Sequence, residues 1–105
     1  MAWRVTWAEP AWANVEAAAR YIANDSPRYA AALIRDARDA ARSLRQLPHR
    51  GRVVPEEGDP AVRELFVFHQ RYRMLYEIVE KAGEVRILAF IHGARDLKTA
   101  LDEQR

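Results

Sequence analysis

The chain contains no cysteine, only four glycines, and just two lysines among its seventeen basic residues. Without thiols there is no disulfide framework, no thiolate-bound zinc and no cysteine nucleophile, and a reducing cytoplasm is the expected compartment. No run approaches the roughly 18 apolar residues that a membrane-spanning helix needs. The opening MAWRVTWAEP lacks a basic segment followed by a long apolar stretch, so neither a targeting segment nor a membrane anchor is expected. The three histidines, at 49, 69 and 92, have no HExxH-type spacing, and there is no glycine-rich phosphate loop. A metal enzyme and a nucleotide-binding enzyme are therefore not expected, and no cofactor is called for.

What is present is enough for one domain, residues 1–105. Half of the 105 residues are apolar, which suffices for a single core without covalent staples. Net charge is only +2, yet fifteen of the seventeen basic residues are arginine, with many of them between Arg42 and Arg73. Arginine offers a planar, permanently charged fork for phosphate, which makes nucleic acid a candidate partner. The plainer reading is a solvated helix face. A helix-turn-helix regulator is not indicated, because the basic residues are not gathered on a short recognition helix.

Hydrophobic periodicity divides the chain into a helical first half and a strand-rich second half, an α+β arrangement. Residues 3–7 alternate, with Trp3, Val5 and Trp7 against Arg4 and Thr6, and predict a short strand. Pro10 suits the first turn of a helix whose apolar positions are Trp12, Val15, Ala19 and Ile22. In NDSPRY, Ser26 is the expected cap and Pro27 the first residue of a second helix. Its apolar stripe runs through Ala30, Leu33, Ile34, Ala37, Ala41, Leu44 and Leu47, and Pro48 stops it. Many of these residues are alanine, so the two helices of the hairpin can approach closely.

Residues 48–60 hold three of the five prolines and two of the four glycines, and predict a loop with a short edge strand at 52–54. Three strands follow at 61–68, 72–80 and 84–91, the last two joined by KAG, giving an antiparallel meander. In the middle strand, Met74, Tyr76 and Ile78 share one face, with Arg73, Leu75, Glu77 and Val79 on the other. Arg73 thus sits on a strand rather than a mobile loop. The segment 97–105 has moderate helical propensity, so a short C-terminal helix is a further expectation, dependent on packing or a partner.

The order strand, helix hairpin, GRVVPE loop, VREL, YRMLY and finally IHGARDL resembles the RelE/ParE superfamily of bacterial type II toxins, over roughly residues 3–97. The resemblance implies a β-α-α-β-β-β fold and a small cytoplasmic toxin encoded beside an antitoxin, whose extended or helical tail wraps and silences it in a hetero-oligomer. It also implies a choice between two activities. RelE-like members cut messenger RNA in the ribosome without metal, through attack of the 2′-hydroxyl on the adjacent phosphate. ParE-like members poison DNA gyrase and are not nucleases.

In-line cleavage needs a base, cations at the phosphate and an acid for the leaving oxygen. Arg73 in YRMLY and Arg95 in HGARD match the RelE arginines, whereas the RelE lysine falls among Glu64, Leu65, Phe66 and Val67, and its C-terminal tyrosine aligns with Leu101. His92, Tyr72, Tyr76 and His69 are the substitutes on offer, since nuclease relatives employ histidine. Each also has a structural reading. His92 followed by Gly93 suits a strand-end turn, Arg95 an ion pair with Asp96, Arg63 with Glu64 a cross-strand pair, and the tyrosines core packing. With the lysine and tyrosine missing, the ParE-like branch is the preferred reading. On it, Arg63, Tyr72, Arg73 and Arg95 are partner or nucleic-acid contacts. His92, Arg73 and Arg95 are catalytic only on the ribosome-dependent nuclease alternative, and a non-toxic antitoxin-binding module is the third reading.

Overall fold

A computed structural model describes residues 2–93. Strand β1 (Arg4–Trp7) is followed by helices α1 (Glu9–Ala23) and α2 (Pro27–Ser43). A two-residue strand β2 (Arg52–Val53) then leads into β3 (Val62–Val67), β4 (Tyr72–Val79) and β5 (Glu84–His92). The expected α+β order is borne out, including the short edge strand. Arg95, Leu101 and the proposed C-terminal helix lie outside the described residues.

The cap of α2 forms as expected: Tyr29 donates its backbone N–H to Ser26 Oγ at 3.1 Å. The predicted end does not hold. Helix α2 stops at Ser43, with Leu44 as its C-cap, and Leu47 is 62% exposed instead of continuing the stripe. The Ser43 hydroxyl donates to the Ala40 carbonyl at 2.6 Å and accepts from Arg50 at 2.7 Å, so the chain turns away before Leu47 can reach the core.

The sheet has the order β1-β5-β4-β3-β2. The helix hairpin carries the chain from β1 to the far edge, and three antiparallel reversals then march back, so β5 meets β1 in parallel. The meander is therefore part of a mixed sheet. One face packs on the helices through Val15, Leu33, Leu44, Met74, Tyr76 and Ile87. Truncating a leucine as enclosed as Leu33 would cost about 2–5 kcal/mol.

The opposite face carries a second buried cluster of Val54, Val62, Leu75, Leu88, Ala89 and Ile91. The expected alternation along β4 holds, with Met74, Tyr76 and Ile78 in the helix-side core and Leu75 in the second cluster. A bulge puts Leu75 opposite Ala89 but Tyr76 opposite Ile87, leaving Leu88 as the extra residue. Leu88 and Ala89 consequently both join the second face. Among the described residues, no helix is long and apolar enough to cross a membrane.

Candidate functional site

The second face of the sheet carries a charged centre beside its apolar cluster. Antiparallel register sets Glu64 opposite Leu75 and Phe66 opposite Arg73, so Val62, Glu64 and Phe66 share a face with Arg73 and Leu75. Glu64 and Arg73 are diagonal neighbours there. Arg73 Nη2 donates to both carboxylate oxygens of Glu64 at 2.6 Å, and Nε approaches the same oxygens at 3.1 and 3.2 Å. The Glu64 side chain has no solvent exposure and that of Arg73 has 9%.

Two further charges close this centre. From β2, Arg52 reaches Glu64 Oε1 with Nη2 at 3.1 Å and Nε at 3.3 Å, while Glu56 stands 3.6 Å from Arg73 Nη1. Burial works to lower the Arg73 pKa, but hydrogen bonding and charge attraction from Glu64, then Glu56, outweigh it and raise the pKa overall. The group is a fixed cation whose charge is already matched. Phe66, 47% exposed, lies beside both guanidinium groups, 5.4 Å from that of Arg52 and 5.9 Å from that of Arg73.

The acid–base candidates lie elsewhere. Tyr72 and His92 face each other across β4 and β5, on the side opposite Arg73 because adjacent strand residues point to opposite faces. The Tyr72 ring stacks on Phe90 at 5.0 Å and meets the His92 ring edge-on at 5.5 Å. Burial, offset by Arg71 and reinforced by Tyr21, raises the Tyr72 pKa away from neutrality. These rings border a groove lined also by Asn14, Ala17, Ala18 and Tyr21. Asn14 pins its floor by accepting the Phe90 N–H at 3.2 Å.

Arg63 projects to the helix-side face and holds the loop after α2: it donates to the carbonyls of Pro60, His49 and Gly51 at 3.2, 3.1 and 3.0 Å. It forms no pair with Glu64, whose partners come instead from β2 and β4. Tyr76 secures the same loop, donating to the Pro48 carbonyl at 2.8 Å and accepting the Gly51 N–H at 2.9 Å. A Cβ on Gly51 would collide with that hydroxyl and with the Glu64 carbonyl. Burial raises the Tyr76 pKa, against the lowering influence of Gly51, Arg63 and Arg50.

His49 pairs with Glu80 at 3.2 Å and is remote from the other two histidines in sequence and element. His69 occupies the β3–β4 turn, where Phe68, His69 and Gln70 all adopt left-handed backbone, with φ of 56°, 56° and 62°. Nothing in FHQR announces this, since the turn contains neither glycine nor asparagine.

The model of the ParE toxin of type II toxin–antitoxin systems, parDE, matches residues 5–97. The chain belongs to the ParE toxin family. This agrees with the ParE-like branch preferred because the RelE lysine and tyrosine are missing. Among solved structures, the chain is similar to one from the chromosomal ParDE toxin–antitoxin system of P. aeruginosa. That match has 22% identity and a TM-score of 0.68, covering 86% of this chain and 95% of that one. The RelBE2 toxin–antitoxin complex from Mycobacterium tuberculosis shares 22% identity at a TM-score of 0.58, covering 88% and 99% of the two chains. A double arginine-to-alanine mutant of E. coli toxin RelE in the free state shares 12% identity at a TM-score of 0.64, covering 99% and 98%. These likenesses establish a shared fold. No curated protein matches the chain by sequence.

Proposed function

We propose that this chain is the toxin of a bacterial type II toxin–antitoxin pair, that it arrests growth by poisoning DNA gyrase, and that a cognate antitoxin holds it in check in the cytoplasm. The observation that supports a binding poison over a nuclease is the state of Arg73. Its fork is occupied by the buried carboxylate of Glu64, so a scissile phosphate would have to displace an internal ion pair to use it. The rings of Tyr72 and His92 belong to the other side of the sheet. A cation and a proton carrier are therefore not directed at one phosphate from those positions.

The same centre suits contact with a protein. Phe66 is a large, half-exposed ring steadied by two arginines, the combination of aromatic and arginine side chains that dominates binding energy at interfaces. The RelBE2 neighbour is a toxin–antitoxin complex and the ParDE neighbour belongs to a toxin–antitoxin system. A cognate antitoxin is the corresponding partner proposed here.

The test is direct. Purified toxin, added to gyrase with relaxed plasmid and separately to translating ribosomes, is expected to block supercoiling and leave message intact, and prior addition of antitoxin should restore supercoiling. Cleavage of ribosome-bound message with untouched supercoiling would replace this reading by the RelE-like one, in which Arg73→Ala and His92→Ala must each abolish cleavage. Growth unaffected by expression without antitoxin would point to the non-toxic binding module.

A further inference from the structure

Helix α2 and the turn just past it carry five arginines that the charged centre of the sheet does not involve. Arg28, Arg35 and Arg42 recur every seven residues, and Arg38 with Arg45, in the turn just past the helix, forms a second row with the same spacing. At 3.6 residues per turn, all five fall within an arc of about 100° and extend over about 25 Å. All five are exposed, whereas Ala30, Leu33, Ala37, Ala41 and Leu44 turn into the core.

Charge is segregated around this helix. Residues 27–45 hold five arginines and two aspartates, a surplus of three; the whole chain is +2, so all other residues together sum to −1. Asp39 pairs with Arg42 at 2.9 Å and Asp36 approaches Arg35 at 4.0 Å, both exposed and weakly held. Among the described residues, Arg28, Arg38 and Arg45 meet no carboxylate side chain. Arg38 is steadied 5.3 Å over Trp12, and Arg38, Arg42 and Arg45 rim a trough floored by Val5, Trp7 and Ala41.

We propose that this arginine ridge is a docking surface for duplex DNA, gripping phosphates along the backbone without reading bases. The proposal rests on the gyrase reading, because gyrase presents duplex to anything bound beside it. A straight, rigid row of cations fits the regular charge of a duplex. Single strands are ordinarily held by aromatic stacking platforms, and here Trp7 and Trp12 are half-buried against each other at 5.1 Å, with Arg38 lying over Trp12. Helix α2 carries no asparagine or glutamine to read adenine edges.

The test uses the full chain and a fluorescently labelled random-sequence duplex, with binding followed by anisotropy. Four phosphate contacts give a salt slope of about −3.6, so affinity should fall on the order of a hundredfold between about 50 and 200 mM salt. Replacing Arg38, Arg42 and Arg45 together by glutamine should weaken low-salt binding at least tenfold and flatten the slope by about 2.7, while the triple lysine variant keeps most of the slope. The same proteins go into the supercoiling assay. A triple glutamine variant that folds by circular dichroism and binds duplex like the parent overturns the ridge. So does a parent chain that prefers single-stranded RNA, or that binds poly-glutamate and not duplex. Duplex binding without gyrase inhibition keeps the ridge and overturns the gyrase reading instead.

Discussion

Replacing Glu64 by glutamine tests the charged centre most severely, because it removes one charge and almost no volume. In the parent, Arg73 directs two donors at the carboxylate, with Nη2 at 2.6 Å from each oxygen, and Arg52 adds contacts at 3.1 and 3.3 Å. Glutamine keeps one acceptor oxygen but leaves the Arg73 cation, 9% exposed, without its main counterion. Breaking one side of a buried pair costs about 3–5 kcal/mol. Glu56, 3.6 Å from Arg73 but 42% exposed, recovers only a small part, so the lower end of that range, about 3 kcal/mol, is expected. With an unfolding entropy of about 2.1 cal/mol/K per residue over 105 residues, this corresponds to a fall in Tm of about 14 °C.

The measurement is equilibrium denaturation of the parent, Glu64→Gln, Arg73→Met and the double variant Glu64→Leu/Arg73→Met. Glu64→Gln strands the Arg73 cation and Arg73→Met leaves the buried Glu64 with only the exposed Arg52, whereas the double change replaces the pair with apolar groups of similar size and should return to within about 1.5 kcal/mol of the parent. Arg52, with a 56% exposed side chain, loses its partner at little cost in the double variant. A loss below about 1 kcal/mol in Glu64→Gln, or a double variant as unstable as the worse single one, would refute the argument that Arg73 is held internally. Arg73 would then be a cation available to a phosphate, and the case against nuclease chemistry would lose its main support.

Two other perturbations read different parts of the fold. The Tyr76 pKa is raised by burial, so the folded state favours the neutral phenol; its contribution is complete below the unfolded value near 10 and is lost as pH rises through the higher folded value. Stability should therefore fall above about pH 10, and Tyr76→Phe should fall less steeply there while losing about 1–3 kcal/mol at pH 7 from the stranded Pro48 carbonyl and Gly51 N–H, both readable by urea denaturation across pH. In the β3–β4 turn, Gln70→Gly should raise stability by about 0.5–1 kcal/mol, because glycine adopts its φ of 62° without the steric cost borne by a side chain, and an unchanged or lower Tm would count against a strained turn.

The elements of this fold were legible where one physical rule dominated. Alternation in RVTW and YRMLYEIV, the Ser26–Pro27 start and the proline-rich loop each gave local evidence, and the strand faces followed from a period of two. The end of α2 was less accessible: Leu47 fits the apolar spacing, but Ser43 and Arg50 redirect the chain through contacts that spacing cannot express. The parallel docking of β1 on β5 depends on where the helix hairpin crosses, and the left-handed FHQR turn has no residue that signals it.

Glu64 lies between these cases. In VRELFV it falls in phase with Val62, and a carboxylate at a buried strand position requires a counterion. That requirement could be read from sequence, and Arg63 next door was the obvious candidate, yet adjacent strand residues point apart and cannot satisfy it. Only the register, with Glu64 opposite Leu75, brings in Arg73 from the neighbouring strand and Arg52 from the other. The arginine that suggested phosphate chemistry and the glutamate in the stretch where a lysine was sought are thus two halves of one arrangement. A lysine in place of Glu64 would put a second cation against Arg73, so an acidic residue at this position and an internally neutralised Arg73 go together.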